Sequence, residues 1–153
     1  MKVLEIKVPP VALVILVAAC IWAVARLLPN LYFTIPRAGC LATGSAVVGA
    51  CIAILGVMEF RAAGTTVDPR VPDQSESLEI RGVYRCSRNP MYLGLLLVLC
   101  AWGLFLGSIP SLLFLPAFVI YMNRFQIIPE ERFVREKFGE SFSKYTSEVR
   151  RWV

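Results

Sequence analysis

Long apolar runs separated by polar connections constrain this chain more than any other feature. Residues 8–28 and 38–58 each approach the roughly 20 apolar residues that cross a hydrocarbon core of about 30 Å as a helix. Two shorter runs follow at 91–106 and 109–122. Backbone N–H and C=O groups in hydrocarbon must all be paired, so such runs become helices rather than strands with open edges. Of 153 residues, 57% are hydrophobic, above the share of an ordinary soluble domain. The expected fold is all-α: a polytopic membrane protein with about four transmembrane helices, forming one domain over residues 1–153. The first run follows Lys2 and Lys7 and ends in Ala23-Val24-Ala25, as a signal peptide would. It is long for the apolar part of one, and a second span follows closely, so a retained helix is expected.

The third and fourth runs are joined only by Gly107-Ser108-Ile109-Pro110, a tight turn that makes them a helical hairpin. Pro110 suits a first helical turn, whereas Pro116 lies deeper and is expected to kink the fourth span. Charge sets the orientation. Two lysines precede the first span, five arginines lie between the second and third, and seven basic residues follow the fourth. That places 14 of the 16 basic residues on one side, leaving Arg26 and Arg37 on the other. By the positive-inside rule, both termini and the loop from Phe60 to Ser87 are expected to be cytoplasmic. The 11 acidic residues fall on or near the same side. The net charge of +5 sits beside spans, which points to membrane lipids rather than nucleic acid.

Chemistry-bearing residues gather where the cytoplasmic loop enters the third span, at Arg88-Asn89-Pro90-Met91-Tyr92-Leu93-Gly94. Ser87 or Asn89 can cap that helix and Pro90 suits its first turn. A helix start therefore explains part of the motif. Tyr84, Arg88, Asn89 and Tyr92 add hydrogen-bonding groups beyond a cap, and a helix N-terminus favours an anionic group. At about 1.5 Å per residue the hairpin climbs and descends by similar distances, returning Glu130-Glu131 to the level of Asn89. Two adjacent carboxylates beside a membrane surface repel each other, so a cationic partner is expected. The tail from Glu130 to Val153 reads as an amphipathic cytoplasmic helix interrupted at Gly139, with basic residues able to anchor in anionic lipid. The long loop, with Gly64-Thr65-Thr66 near its start, is either a solvated connector or a substrate-facing segment. Histidine is absent, which removes imidazole catalysis and His-based metal sites. The five cysteines show no CxxC spacing, so no metal site is expected, and nothing marks Cys86 as a nucleophile beyond its neighbours Arg85 and Arg88.

This ordered set resembles the membrane methyltransferases of the isoprenylcysteine carboxyl methyltransferase and phospholipid N-methyltransferase type. Their pattern is Arg-His-Pro-x-Tyr-x-Gly, then after a helical hairpin Glu-Glu, a Phe-Gly segment and a Tyr. Here it reads Arg88 to Gly94, Glu130-Glu131, Phe138-Gly139 and Tyr145, within a methyltransferase-like region at residues 60–153. Gly82-Val83-Tyr84 and Gly64-Thr65-Thr66 also resemble bacterial members. The resemblance implies S-adenosylmethionine as cofactor, bound on the cytoplasmic side by Tyr84, Arg88, Asn89, Tyr92, Leu93, Glu130 and Glu131. The expected catalytic residues are Glu131 and Arg150, with Arg150, near the C-terminus, pairing an anionic substrate group. The acceptor it implies is a lipophilic small molecule or lipidated substrate from the bilayer, an isoprenylcysteine carboxylate first and a phospholipid amine second. One departure stands out: Asn89 occupies the usual His position, and Asn hydrogen-bonds but carries no proton at neutral pH. The other readings are an NADPH-dependent membrane reductase, though no Rossmann glycine fingerprint is present, and a non-enzymatic scaffold. A shortage of ionisable residues within the spans argues against an ion pathway.

Overall fold

The computed structural model describes residues 8–33, 35–62 and 81–153. Gly64-Thr65-Thr66 and the rest of residues 63–80 lie outside them. The first two spans are α1 (Pro10–Leu27) and α2 (Ala38–Ala62), and the third is α3 (Pro90–Leu106). A 3-10 turn at Pro110–Leu113 then leads into α4 (Phe114–Met122). A π-helical turn at Asn123–Ile127 carries α4 on into α5 (Ile128–Glu148). Among the described residues, three helical runs are long and apolar enough to cross a membrane: Pro10–Leu27, Ala38–Ala62 and Pro110–Glu148. The apolar α3 is shorter. The chain is an all-α integral membrane protein, as its apolar runs imply.

Helix α1 shows why lipid must cover it. Its buried residues Leu13, Val17, Ile21 and Ala25 recur every four positions, the spacing of one helix face. On its other sides Val11, Ile15 and Leu16 are 60%, 64% and 60% exposed, a continuous apolar surface that water does not accommodate. Polar groups hold the buried face at intervals. Trp102 Nε1 donates to Ala18 O at 3.1 Å and Ser111 Oγ to Ile21 O at 3.1 Å.

Between α2 and α3, where hydrophobicity offers no net drive for association, small residues let the backbones meet. Ala42, Gly49 and Gly56 are the buried residues of α2 and lie seven positions apart. A Cβ on Gly49 would come within 2.7 Å of Gly94 O, and one on Gly94 would run into the Gly49 carbonyl. Ser45 Oγ adds a hydrogen bond to Leu97 O at 3.0 Å.

The hairpin turn forms as the sequence suggests. Gly107 closes α3 in a left-handed conformation (φ 62), its N–H reaching Gly103 O and Leu104 O. The connection after α1 is stitched to this turn by Phe33 N to Gly107 O at 2.8 Å and Ile109 N to Leu31 O at 3.1 Å. One end of the bundle is thereby closed by backbone bonds. The start of α3, the end of α2 and all of α5 lie at the other end.

Two local readings shift. Pro116 is the third residue of α4, and the irregularity falls ahead of it, in the 3-10 turn that begins at Pro110. The π-turn, absent from the sequence reading, leaves both Gln126 and Ile127 buried. The expected break at Gly139 is present, with φ 52 and ψ −117 inside α5. It folds the tail back so that Phe142, Tyr145 and Val149 pack with Val134 and Phe138.

Candidate functional site

The entry to α3 is held from three directions. From α2, the Glu59 carboxylate accepts the Val83 N–H at 3.1 and 3.4 Å, fixing the 3-10 turn Gly82–Arg85. Gly82 is required there, because its φ is 49 and a Cβ would collide with that carboxylate. From inside the turn, Tyr84 O–H donates to Gly56 O at 3.3 Å. From the folded-back tail, Tyr145 O–H donates to Tyr84 O at 2.6 Å in a buried bond. Removing it with Tyr145→Phe should lower stability by about 1–2 kcal/mol, read as a fall in melting temperature in detergent.

Helix α5 brings the adjacent carboxylates onto α3, and they diverge. Tyr92 O–H donates to Glu130 Oε1 at 2.6 Å. Glu131 turns to two guanidinium groups. Arg88 Nη1 lies 3.2 Å from its Oε1, and Arg151 forks it, with Nε to Oε1 at 3.0 Å and Nη2 to Oε2 at 2.7 Å. Residues one apart on a helix point about 100° apart, so one pair of carboxylates serves two different partners. The expected cationic partner is thus doubled.

The segment after α5 runs extended across the motif. Asn89 Nδ2 donates to Arg151 O at 3.0 Å, and Arg88 N to Arg150 O at 3.0 Å. Ser87 Oγ accepts the Asn89 N–H at 3.1 Å and reaches Arg151 O at 3.5 Å. Trp152 Nε1 donates to Asn123 Oδ1 in the π-turn at 3.1 Å. Of the residues singled out from sequence, Arg88, Asn89, Tyr92, Glu130 and Glu131 therefore converge, with Tyr84 beneath them. Leu93 is half-buried and contributes its backbone N–H to Asn89 O. Arg150 is exposed and joins only through its carbonyl. Arg151, Gln126, Asn123 and Trp152 belong to the constellation without having been singled out, and Ser87, expected as a cap, joins it too.

One donor in this region is left over: among the described residues, Arg88 Nε is buried without a hydrogen-bond partner. Burying such a group without a partner costs about 1–3 kcal/mol, and functional sites are where that cost is tolerated.

Within the run Pro110–Glu148 the apolar stretch ends at Ile128-Pro129, and Glu130 begins the charged part that follows the membrane-crossing stretch. Burial pushes its carboxyl up to about 7. Hydrogen bonding to Tyr92 and the neighbouring Gln126 pull it down, and Glu131 adds to the rise. A carboxyl raised from 4.5 to about 7 binds a proton on folding throughout that window. Its contribution to stability is whole below the lower value, declines as pH rises, and is gone above the upper one. The melting temperature should therefore fall as pH is raised from about 5 to about 8, and Glu130→Gln should flatten that dependence. A wild-type profile indistinguishable from the variant's would contradict the shift.

Comparison with known proteins covers Arg88, Asn89, Tyr92, Glu130 and Glu131 but not Tyr145, Arg151 or Trp152. A family profile described as phospholipid methyltransferase matches residues 38–141, from the first residue of α2 into the tail. An uncharacterized protein of Haemophilus influenzae is 44% identical over 63 residues, which make up 41% of this chain and the whole of that relative. No solved structure matches the chain significantly.

Proposed function

This chain belongs to the phospholipid methyltransferase family, and from that premise we propose that it transfers a methyl group from S-adenosylmethionine to a lipophilic acceptor. The observation that carries the reading is the convergence of Tyr92–Glu130 and Arg88–Glu131–Arg151 at one end of the bundle. The donor set fits the amino-acid end of that cofactor. Arg88 Nε is a buried donor without a partner, suited to a carboxylate. Glu130 Oε1 accepts the Tyr92 hydroxyl, and a carboxylate has further lone pairs with which to meet an ammonium. Glu131, shared by two guanidinium groups, acts by holding Arg88 and Arg151 in place.

When bound, S-adenosylmethionine supplies an electrophilic methyl on a sulfonium. The chain's contribution is to fix that group and its acceptor in line, and positioning alone supplies a large part of such an acceleration. By the charge distribution, the site and both termini face the cytoplasm. The nicotinamide-reductase and scaffold readings gain nothing from the family match.

Two acceptors remain, each with its own support. The motif resemblance favours an isoprenylcysteine-type carboxylate, which needs no base. The family description favours a phospholipid amine. Purified protein given methyl-labelled S-adenosylmethionine, farnesylated N-acetylcysteine and phosphatidylethanolamine vesicles should place label in lipid. A base-labile label marks a methyl ester and a base-stable one an N-methyl group. Label in neither lipid from folded protein would overturn the acceptor class.

A further inference from the structure

Helices α1 and α2 each pack on α3 far more than on each other. The gap this leaves over α3 is a groove of about 420 Å³. Val14 and Ala18 of α1 form one side, Thr43 and Ala46 of α2 the other, and Val98 and Trp102 of α3 the floor. The small side chains at 18 and 46 leave the space open. Trp102 and Phe105, stacked at 5.9 Å and 16°, give it a flat aromatic wall. The Trp102 indole N–H is already paired with Ala18 O, so the groove offers an incoming group little but hydrocarbon.

Position along the helices assigns the groove to one leaflet. At about 1.5 Å per residue, Val98 lies about 12 Å and Phe105 about 22 Å from Pro90, the end of α3 that carries the candidate site. Ala46 lies about 12 Å from the start of α2 at Ala38, the opposite end of the bundle. A hydrocarbon core of about 30 Å gives each leaflet about 15 Å. The groove therefore lies largely in the leaflet opposite the candidate site. A lipid seated in it has its headgroup at the closed end of the bundle, away from Arg88 and Glu130.

What borders the groove decides its occupant. Its rim continues into exposed apolar surface, Val11 and Ile15 on α1 and Leu41, Val47 and Val48 on α2. That surface faces lipid in an integral membrane protein, and water is absent at this depth. A helix of a second copy is too large. One helical turn, about 10 Å across and 5.4 Å high, takes up as much volume as the whole groove. A single hydrocarbon chain fits, because about 30 Å³ per water-sized group leaves room for about fourteen such groups in file.

We propose that this groove binds one acyl chain of a bilayer phospholipid from the leaflet opposite the candidate site, and that the chain braces α1 against α2. This lipid site is separate from any methyl acceptor and does not depend on the methyltransferase reading. Helix α1, which supplies one wall, precedes the residues 38–141 matched by the family profile.

The test uses the full chain, purified in detergent, stripped of lipid and titrated with palmitoyl-oleoyl-phosphatidylcholine. The amine of that lipid is already fully methylated, so it cannot act as an acceptor. Wild type should show a saturable rise in melting temperature, as a ligand of the folded state produces. Dihexanoyl-phosphatidylcholine, with the same headgroup on chains too short to fill the groove, should bind at least about ten-fold more weakly. Ala46→Phe and Ala18→Leu put their own carbon into the groove from opposite sides. Losing contact with two chain methylenes is worth about ten-fold in affinity, so each variant should weaken the long-chain lipid by that much or more. Val47→Phe, one position along α2 on the exposed face, should respond as wild type does. Equal affinity of wild type for the two lipids, or no rise with either, would overturn the proposal. So would a wild-type response in both filled variants, or an equal loss in Val47→Phe. A wild-type dimer on size exclusion that the filled variants abolish would give the groove to a second copy and overturn it as well. Should one filled variant fail to fold, the other variant and the chain-length comparison in wild type still decide.

Discussion

Gly94→Val should yield little or no folded protein. At this position α3 meets α2 backbone to backbone. An added Cβ would strike the Gly49 carbonyl and come within 2.7 Å of Ala53 Cβ and 2.8 Å of Ala53 N. None of these can rotate away as the end of a flexible side chain could, so the helices must separate. Overpacking a well-packed core costs about 1–3 kcal/mol, and a rigid backbone contact belongs at or above the top of that range. Separation also lifts Ser45 from Leu97 O and Tyr84 from Gly56 O, both of which depend on the same close approach. The control lies on the facing helix, α2. Nothing is found within 4 Å of a Cβ built on Gly44, and alanine is favoured over glycine in a helix by about 1 kcal/mol. Gly44→Ala should therefore melt no lower than wild type, while Gly94→Val gives aggregated or unstable protein by size-exclusion and melting in detergent. A stable Gly94→Val would show that the seam is looser than these contacts require.

Glu131→Gln is the second large effect. The carboxylate and Arg88 side chains are 17% and 14% exposed, and Arg151 is 33% exposed. Taking the negative charge away leaves two guanidinium groups facing each other across a neutral amide. Removing one partner of a buried pair costs about 3–5 kcal/mol, and the partial exposure of Arg151 brings the expectation to about 2–3 kcal/mol. The tail segment should loosen as well, because Arg151 and its carbonyl anchor it to Asn89 and Ser87. Arg88 then loses its orientation, and S-adenosylhomocysteine affinity should drop by about 100-fold. Glu131→Asp, which keeps the charge on a shorter arm, should recover part of both. Unaltered affinity in Glu131→Gln would remove Arg88 orientation from the account.

The spans were legible in the sequence because length and apolarity in hydrocarbon leave few alternatives. The run at residues 8–28 became Pro10–Leu27, and that at 91–106 became Pro90–Leu106. Gly139 was legible as a break because nothing else in the tail can take a positive φ so cheaply. The end of the second span was not: α2 runs on to Ala62, past Met58, because Glu59 has the Val83 N–H to meet. That Arg151 would be the guanidinium forking Glu131 was not legible either, and the reason is periodicity. Beyond α5 the chain turns extended at Val149 (φ −120, ψ 131), where successive side chains point to opposite sides. A shift of one residue decides which arginine reaches Glu131, and composition is blind to it. Gln126 escaped for a related reason. The π-turn is written into no glycine or proline pattern, so its inward amide emerges only once α4 and α5 are packed against α3. The segment at residues 63–80 lies outside the described residues.

The account stands on cofactor binding at the Tyr92–Glu130 and Arg88–Glu131–Arg151 cluster. The most direct measurement is calorimetric titration of detergent-purified protein with S-adenosylhomocysteine, beside a Glu130→Gln/Glu131→Gln double variant shown to be folded. Saturable binding by wild type that is lost in the variant is the predicted result. Equal affinity in both proteins, or no binding by folded wild type, would contradict it.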